Sequence, residues 1–362
     1  MKQTKKTLAT VLKVVISCAF FAVLLSFVRA NELMEILSRV DWFYLSVAFL
    51  LSPLMLLVSC MKWKVILDCN GKPISFFTLL RIYLIGYFFS NLLPSTVGGD
   101  VVRSYYAGKL IDNQAYAAVS IFVERVSGVV FLFVLVVVAP LFSPGLYRNP
   151  SIFLPACAGG FLLCATMWLW KVKTPLKVPQ KIFSFVFYRL YRFVDHFSWI
   201  QARRYVGVFE SQCTKIFRRL DRIRDEARFA AETLKNDRGY MLKIVGLTVL
   251  FYILTWVNVY VAFRAFGVRP DFSIVCALVP AILFAAHVPV TLLGNLGYFE
   301  SIFVFYFLLA GIPGVETLAM GLLLRAKMLS MGVVGYLVYL CYKQTSQGEF
   351  DAIETFQHEV DK

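Results

Sequence analysis

The sequence predicts an all-α polytopic membrane protein: about six transmembrane helices plus two oppositely inserted re-entrant hairpins in an inverted repeat. Three observations predict it. Only 16% of residues are charged and 59% are hydrophobic, whereas a soluble domain carries about 25% charged residues. Apolar runs of about 20 residues, enough to cross a hydrocarbon core, recur along the chain. Two further apolar regions break at Pro and Gly, and the distribution of Lys and Arg requires each to return to the side it entered from.

The elements follow in order. The N-terminus imitates a signal peptide, but its apolar run, 8–28, is too long for an h-region and reads as a retained first span. Spans are also expected at 42–60, 117–140, 152–170, 241–264 and 317–342. Lys2, Lys5 and Lys6 place the N-terminus on the cytoplasmic side, and "KWK" (62–64) with Lys72 marks the return of the second span. Between Lys171 and Arg238 stand 16 Lys/Arg against 7 Asp/Glu, so this segment is cytoplasmic as well. Both ends of 74–114 then lie inside, and both ends of 272–312 lie outside.

The first re-entrant region contains "NLLPSTVGGDVVR". A helix over about 76–92 ends at Pro94, which cannot continue it. Gly98-Gly99 makes the turn, and a second short helix leaves from Asp100. Non-helical backbone at membrane depth is tolerated only in protein or along a wet cavity, so Asn91, Pro94, Ser95, Thr96, Gly98, Gly99, Asp100 and Arg103 are candidate cavity residues. The second region breaks at "HVPVTLLGNLGYFE", with arms 272–288 and 298–311 meeting at Gly294 and Gly297. Pro289, Gly294, Gly297 and Glu300 join the candidates.

Each broken region precedes a span with charge in its apolar run: Glu124 and Arg125 after the first, Arg325 and Lys327 after the second. Asp100 precedes Arg125 by 25 residues, and Glu300 precedes Arg325 by the same interval. This parallel, in units of opposite insertion, is the pattern of transporters with a midplane site between paired broken helices. Arg103, Arg125 and Arg325 are candidate phosphate ligands, since a guanidinium bonds two oxygens at once. The plainer alternative is that Asp100, Glu124 and Glu300 pair with these arginines and hold the repeats together.

The middle segment, 171–240, is expected to be basic and amphipathic. Phe183, Val186, Phe187 and Leu190 share one face over 181–199, and Trp199 anchors that helix at the interface. A more polar helix over 205–235 has a solvated face or docks a cytoplasmic partner. The division is 1–170, 171–240, 241–342 and a cytoplasmic tail, 343–362. The eight Cys show no CxxC and read as small buried hydrophobes. His287 reads as a core residue. Neither a metal site, a cofactor motif nor a Walker A loop is recognisable, and no nucleic-acid-binding module is visible.

"NLLPSTVGGDVVR", "ERVSG" some twenty residues on, "PVTLLGNLGYFE" and the late helix with Arg325 resemble the transmembrane region of lysylphosphatidylglycerol synthases. That region also occurs alone, in flippase-like integral membrane proteins. The resemblance runs from the first span to about residue 342, though Leu293 and Asn295 flank Gly294 where a more Gly-rich turn is usual. It implies movement of a lipid across the bilayer without the aminoacyl-transferring domain, for which about 20 residues after the last span leave no room. The expected protein is therefore not an enzyme, takes no cofactor and lies in a prokaryotic plasma membrane with both termini cytoplasmic. Its expected partners are anionic membrane lipids. The rival expectations are a scaffold that recruits a lipid- or glycan-modifying enzyme through 171–238, and an intramembrane transferase with Asp100 or Glu124 as base.

Overall fold

A computed structural model describes residues 35–36, 38–92, 97–171, 238–287 and 297–360. The expected span 8–28 and both middle helices, within 171–238, lie outside these residues. Among the described residues the secondary structure is helical, without strands. The helices are α1 (Trp42–Asp68), α2 (Phe76–Leu92), α3 (Val97–Ile111), α4 (Gln114–Val138), α5 (Pro150–Lys171), α6 (Arg238–Ala265), α7 (Phe272–Ala286), α8 (Tyr298–Leu309) and α9 (Gly314–Val360). Among the described residues four segments are long and apolar enough to cross a membrane: Trp42–Asp68, Gln114–Leu141, Arg238–Ala265 and Gly314–Tyr342.

Helix starts are written locally. Asp41 Oδ1 accepts from Phe43 N at 2.9 Å ahead of α1, and Asn113 Oδ1 accepts from Tyr116 N at 2.9 Å ahead of α4. Asp271 Oδ1 accepts from Ser273 N at 3.2 Å ahead of α7. Each carboxylate or amide satisfies an amide that an isolated helix leaves open. Pro53, Pro155 and Pro280 lie inside α1, α5 and α7; packed neighbours make such interruptions tolerable in membrane helices.

The longest contact runs between α1 and α6. Asp41 N donates to Ala265 O at 2.9 Å, so the start of α1 lies beside the end of α6 and the two are antiparallel. Around this pair, α2 packs on α3 and α9, α3 on α4, and α1 on α2 and α4. Likewise α7 packs on α8 and α4, α8 on α9, and α6 on α7 and α9. One core joins Trp63, Leu67, Leu79, Ile82, Ala107 and Tyr116 from α1 to α4. Another joins Phe263, Val279, Phe303 and Phe307 around α6, α7 and α8, where the Phe263 and Phe307 rings meet edge-on at 4.7 Å.

Several sequence expectations are corrected. Gly98 and Gly99 do not make the turn after α2; they lie in the first turn of α3, which begins at Val97 rather than Asp100. The reason is packing: a Cβ at Gly99 would collide with Ser90 Oγ and the Gly86 carbonyl, so the glycine lets α3 lie against α2. The span expected to end at 60 runs on to Asp68, which carries "KWK" into the bundle. His287 is exposed, and its ring Nδ1 lies 2.7 Å from Leu283 O at the end of α7, so it is an end-capping residue rather than a core one. Cys60 and Cys276 are buried as expected, but Cys157, Cys164 and Cys341 lie on the outer surface, which in a membrane protein suits an apolar thiol equally well. α9 continues unbroken from the last span to Val360.

Close approach of α9 to α2 depends on Gly335, where a Cβ would collide with the Leu84 carbonyl and meet Phe88 Cβ at 3.0 Å. Gly246 on α6 has nothing within 4 Å of its Cβ position. Gly335→Ala is therefore expected to destabilise the protein by about 1–3 kcal/mol through overpacking. Gly246→Ala should leave stability unchanged or raise it by up to about 1 kcal/mol through helix propensity. Thermal unfolding of both variants in detergent checks the contrast.

Candidate functional site

The candidate residues fall at two charge clusters, each between a short helix and the long helix that follows it. In the first, Asp100 stands in the opening turn of α3, where a carboxylate complements the helix dipole. Arg125 of α4 grips it with two nitrogens, Nε to Oδ2 at 2.5 Å and Nη2 to Oδ1 at 2.9 Å. One turn along α3, Arg103 is 5% exposed. Its Nη2 meets Glu124 Oε2 at 2.6 Å, and its Nη1 lies 3.6 Å from Asp100 Oδ1. The Arg103 guanidinium also lies 4.2 Å from the Trp63 ring centroid and 4.0 Å from that of Tyr83, so aromatic faces replace water around it.

The surrounding side chains hold this cluster in place. Tyr83 OH donates to Glu124 Oε1 at 3.3 Å, Trp63 Nε1 donates to Ser120 Oγ at 3.0 Å, and Lys62 Nζ donates to the Glu124 backbone carbonyl at 3.1 Å. Arg103 Nε is buried without a hydrogen-bond partner among the described residues.

The second cluster is built at the start of α8. Gly297 has φ +80°, a conformation that favours glycine. Glu300, 1% exposed, turns back so that Oε2 accepts from Gly297 N at 2.8 Å. Its other oxygen, Oε1, accepts from Arg325 Nε of α9 at 2.8 Å, and the Arg325 guanidinium lies 5.5 Å from the Phe299 ring centroid. The two 25-residue intervals in the sequence are thus both realised as ion pairs, Asp100–Arg125 and Glu300–Arg325. Nearby on α9, the Lys327 ammonium donates to Asn258 Oδ1 of α6. Asn91, at the end of α2, donates to Met328 O at 3.3 Å and so reaches α9 beside Lys327.

Of the candidates from the sequence, Asp100, Arg103, Glu124 and Arg125 come together, as do Gly297, Glu300 and Arg325. Gly99 lines the α2–α3 contact, and Gly98 stands beside it in the first turn of α3. Pro94, Ser95, Thr96, Pro289 and Gly294 lie outside the described residues. The plainer alternative for the charges matches the geometry: each candidate arginine has a carboxylate partner. Lys62, Trp63, Tyr83 and Asn258 were not singled out. Lys62 had been assigned to the cytoplasmic mouth with the rest of "KWK", yet it is 8% exposed. The apolar "VILD" after it, which extends α1 by a further turn, was the available signal.

The family model for the lysylphosphatidylglycerol synthase TM region matches residues 10–335. The chain therefore belongs to that family and is an integral membrane protein. It is similar to a UPF0104 membrane protein of Methanocaldococcus jannaschii, 29% identical over 37% of this chain and 40% of the relative. A UPF0104 membrane protein of Archaeoglobus fulgidus is 30% identical over 25% of this chain and 27% of the relative. These two matches span well under half of either relative. One of Methanothermobacter thermautotrophicus is 23% identical over 84% of this chain and 87% of the relative. No solved structure matches the chain.

Glu300→Ala removes the carboxylate that faces buried Arg325 and is expected to cost about 3–5 kcal/mol, the usual penalty for breaking a buried pair. The double variant Glu300→Met with Arg325→Met removes both charges and should recover most of that loss. Thermal unfolding of Glu300→Met, Arg325→Met and the double variant checks this; costs that simply add would mean the pair is not coupled.

Proposed function

We propose that the protein translocates an amphiphile with an anionic, phosphate-bearing headgroup across a prokaryotic plasma membrane. In this reading the headgroup passes through the bundle while the apolar tails stay in the bilayer. The observation that carries the reading is the pair of charge clusters at the starts of α3 and α8, in which Arg103, Glu124, Glu300 and Arg325 are buried and Arg125 is half exposed. A charged side chain at the centre of a bilayer costs on the order of 2.5–3.5 kcal/mol on insertion scales. Three acid–base pairs confined to the junctions of short and long helices argue for a polar path rather than for stability alone.

The proposal includes an inverted repeat, with α1–α4 as one unit and α6–α9 as the other. Two observations support it. The equivalent helices α1 and α6 are antiparallel, as inversion requires. Packing contacts of the two units also have counterparts: α2–α3 with α7–α8, α3–α4 with α8–α9, α2–α9 with α7–α4, and α1–α4 with α6–α9. Helices α2–α3 and α7–α8 would then enter from opposite faces, with both termini cytoplasmic. Transport runs without nucleotide hydrolysis, down a gradient or coupled to one.

The ion pairs weigh against the intramembrane transferase. Glu124 faces Arg103, and Asp100 is held by Arg125, so the carboxylate oxygens a base would use are already engaged. The protein is accordingly proposed to act on membrane lipids without chemical change to them. A lipid- or glycan-modifying enzyme that docks on 171–238 would be an additional partner, not the basis of transport.

The test is leaflet exchange in vesicles. Wild-type protein in proteoliposomes should carry fluorescent phosphatidylglycerol, phosphatidic acid or polyprenyl phosphate between leaflets, detected as label lost to an impermeant reductant. Glu300→Gln with Arg325→Gln, still folded, should slow it by about tenfold or more, the loss of roughly 1.4 kcal/mol of barrier stabilisation. Exchange no faster than in protein-free vesicles for all three lipids would contradict the proposal.

A further inference from the structure

The arginines in the two clusters are already matched by carboxylates, but two buried lysines are not. Lys62 is 8% exposed and Lys327 is 2% exposed. Among the described residues neither makes an ion pair. Lys62 donates to a backbone carbonyl, Glu124 O, and Lys327 to a side-chain amide oxygen, Asn258 Oδ1. An ammonium has three N–H donors and no acceptor, so each lysine has only one of its three engaged by these contacts.

Charge counts in the two halves agree. Lys62, Arg103 and Arg125 face Asp100 and Glu124 in the first; Arg325 and Lys327 face Glu300 in the second. Among the described residues each cluster has one more cation than anion. Glu316, the acid in the membrane part of α9, is eleven residues from Lys327, or about 16 Å along the axis at 1.5 Å per residue, and does not compensate it. Burying a charge without a counter-charge costs several kcal/mol.

The lysines also occupy related places. Lys62 projects from α1 onto α4; in the second half the same contact, α6 with α9, is made by Asn258 and Lys327. Asn91 brings the end of α2 to Met328, next to Lys327. Both lysines therefore lie on the seams that line the proposed path, one in each half.

We propose that Lys62 and Lys327 are the direct ligands of the transported anion: two successive subsites, one per half, for the oxygens of a phosphate ester. The arginines instead position the broken helices. This rests on the reading of the protein as a carrier of anionic lipid, and it moves the ligand role from Arg103, Arg125 and Arg325 to the two lysines. The phosphate oxygens supply the missing negative charge and accept the remaining ammonium protons. A point-like ammonium suits transient binding, whereas a bidentate guanidinium holds its partner more rigidly.

The experiment is thermal unfolding of the full-length protein in a neutral detergent, for wild type, Lys62→Met and Lys327→Met. Phosphatidylglycerol, phosphatidylcholine and inorganic phosphate are titrated in turn. Wild type should be stabilised by phosphatidylglycerol and not by phosphatidylcholine, and each methionine variant should need about tenfold more phosphatidylglycerol for the same shift. Without ligand, the methionine variants should unfold at or above the wild-type temperature, because a buried charge has gone. Should either methionine variant fail to fold, the Gln variant at the same site reads the same effect. Equal titration curves in wild type and variants, with phosphatidylglycerol preferred, overturn the lysine assignment and leave the anionic-lipid reading intact. A wild type that does not distinguish the two lipids or respond to phosphate overturns both. A response to inorganic phosphate as strong as to the lipid, lost in the variants, supports the lysines as anion ligands and assigns them to free phosphate instead of a lipid headgroup.

Discussion

The arginines of the two clusters each meet a carboxylate on another helix, because lipid offers no counter-charge. That constraint organises the structure. Asp100 of α3 is held by Arg125 of α4, Arg103 of α3 by Glu124 of α4, and Glu300 of α8 by Arg325 of α9. Each pair ties a short helix to the long one that follows, so the short helices cannot drift without stranding a charge in an apolar medium. The glycines work with the pairs. Gly99 lets α3 lie against α2, and Gly335 lets α9 approach it from another side.

The same pairing shapes the proposed path. The arginines and carboxylates of the clusters find charged partners. The lysines do not: they are buried, tethered by neutral oxygens, and located on the two seams that flank the central α1–α6 contact. In the proposed inverted arrangement one half closes while the other opens, and the anion passes from one lysine to the other. Such rocking asks little of the ion pairs, since they lie within each half rather than between the halves.

Much of the fold was legible in the sequence, because membrane spans are written in composition and length. Among the described residues helices appear where apolar runs predicted them, and the matching 25-residue intervals pointed to two real ion pairs. What was not legible came from packing across helices. Gly98-Gly99 looks like a turn in one dimension; only the neighbouring Gly86 and Ser90 reveal that the small residues serve a helix–helix contact. Lys62 looked like a mouth residue because basic residues near a span end usually are, and its burial depends on α4 lying alongside. Asn258 has no charge to draw attention, and its role appears only when Lys327 arrives from a distant part of the chain.

The most direct measurement is the sidedness of the loops that bound the two short-helix pairs. In an otherwise cysteine-free chain, single cysteines at Lys72 and Gln114 bracket α2–α3, and cysteines at Arg269 and Pro313 bracket α7–α8. An impermeant maleimide is applied to intact cells and then to opened membranes. The account predicts that the first two label only after opening and the last two label in intact cells, since each pair returns to its own side and the two enter from opposite faces. Labelling of all four from one side, or of the two ends of one pair from different sides, would contradict it.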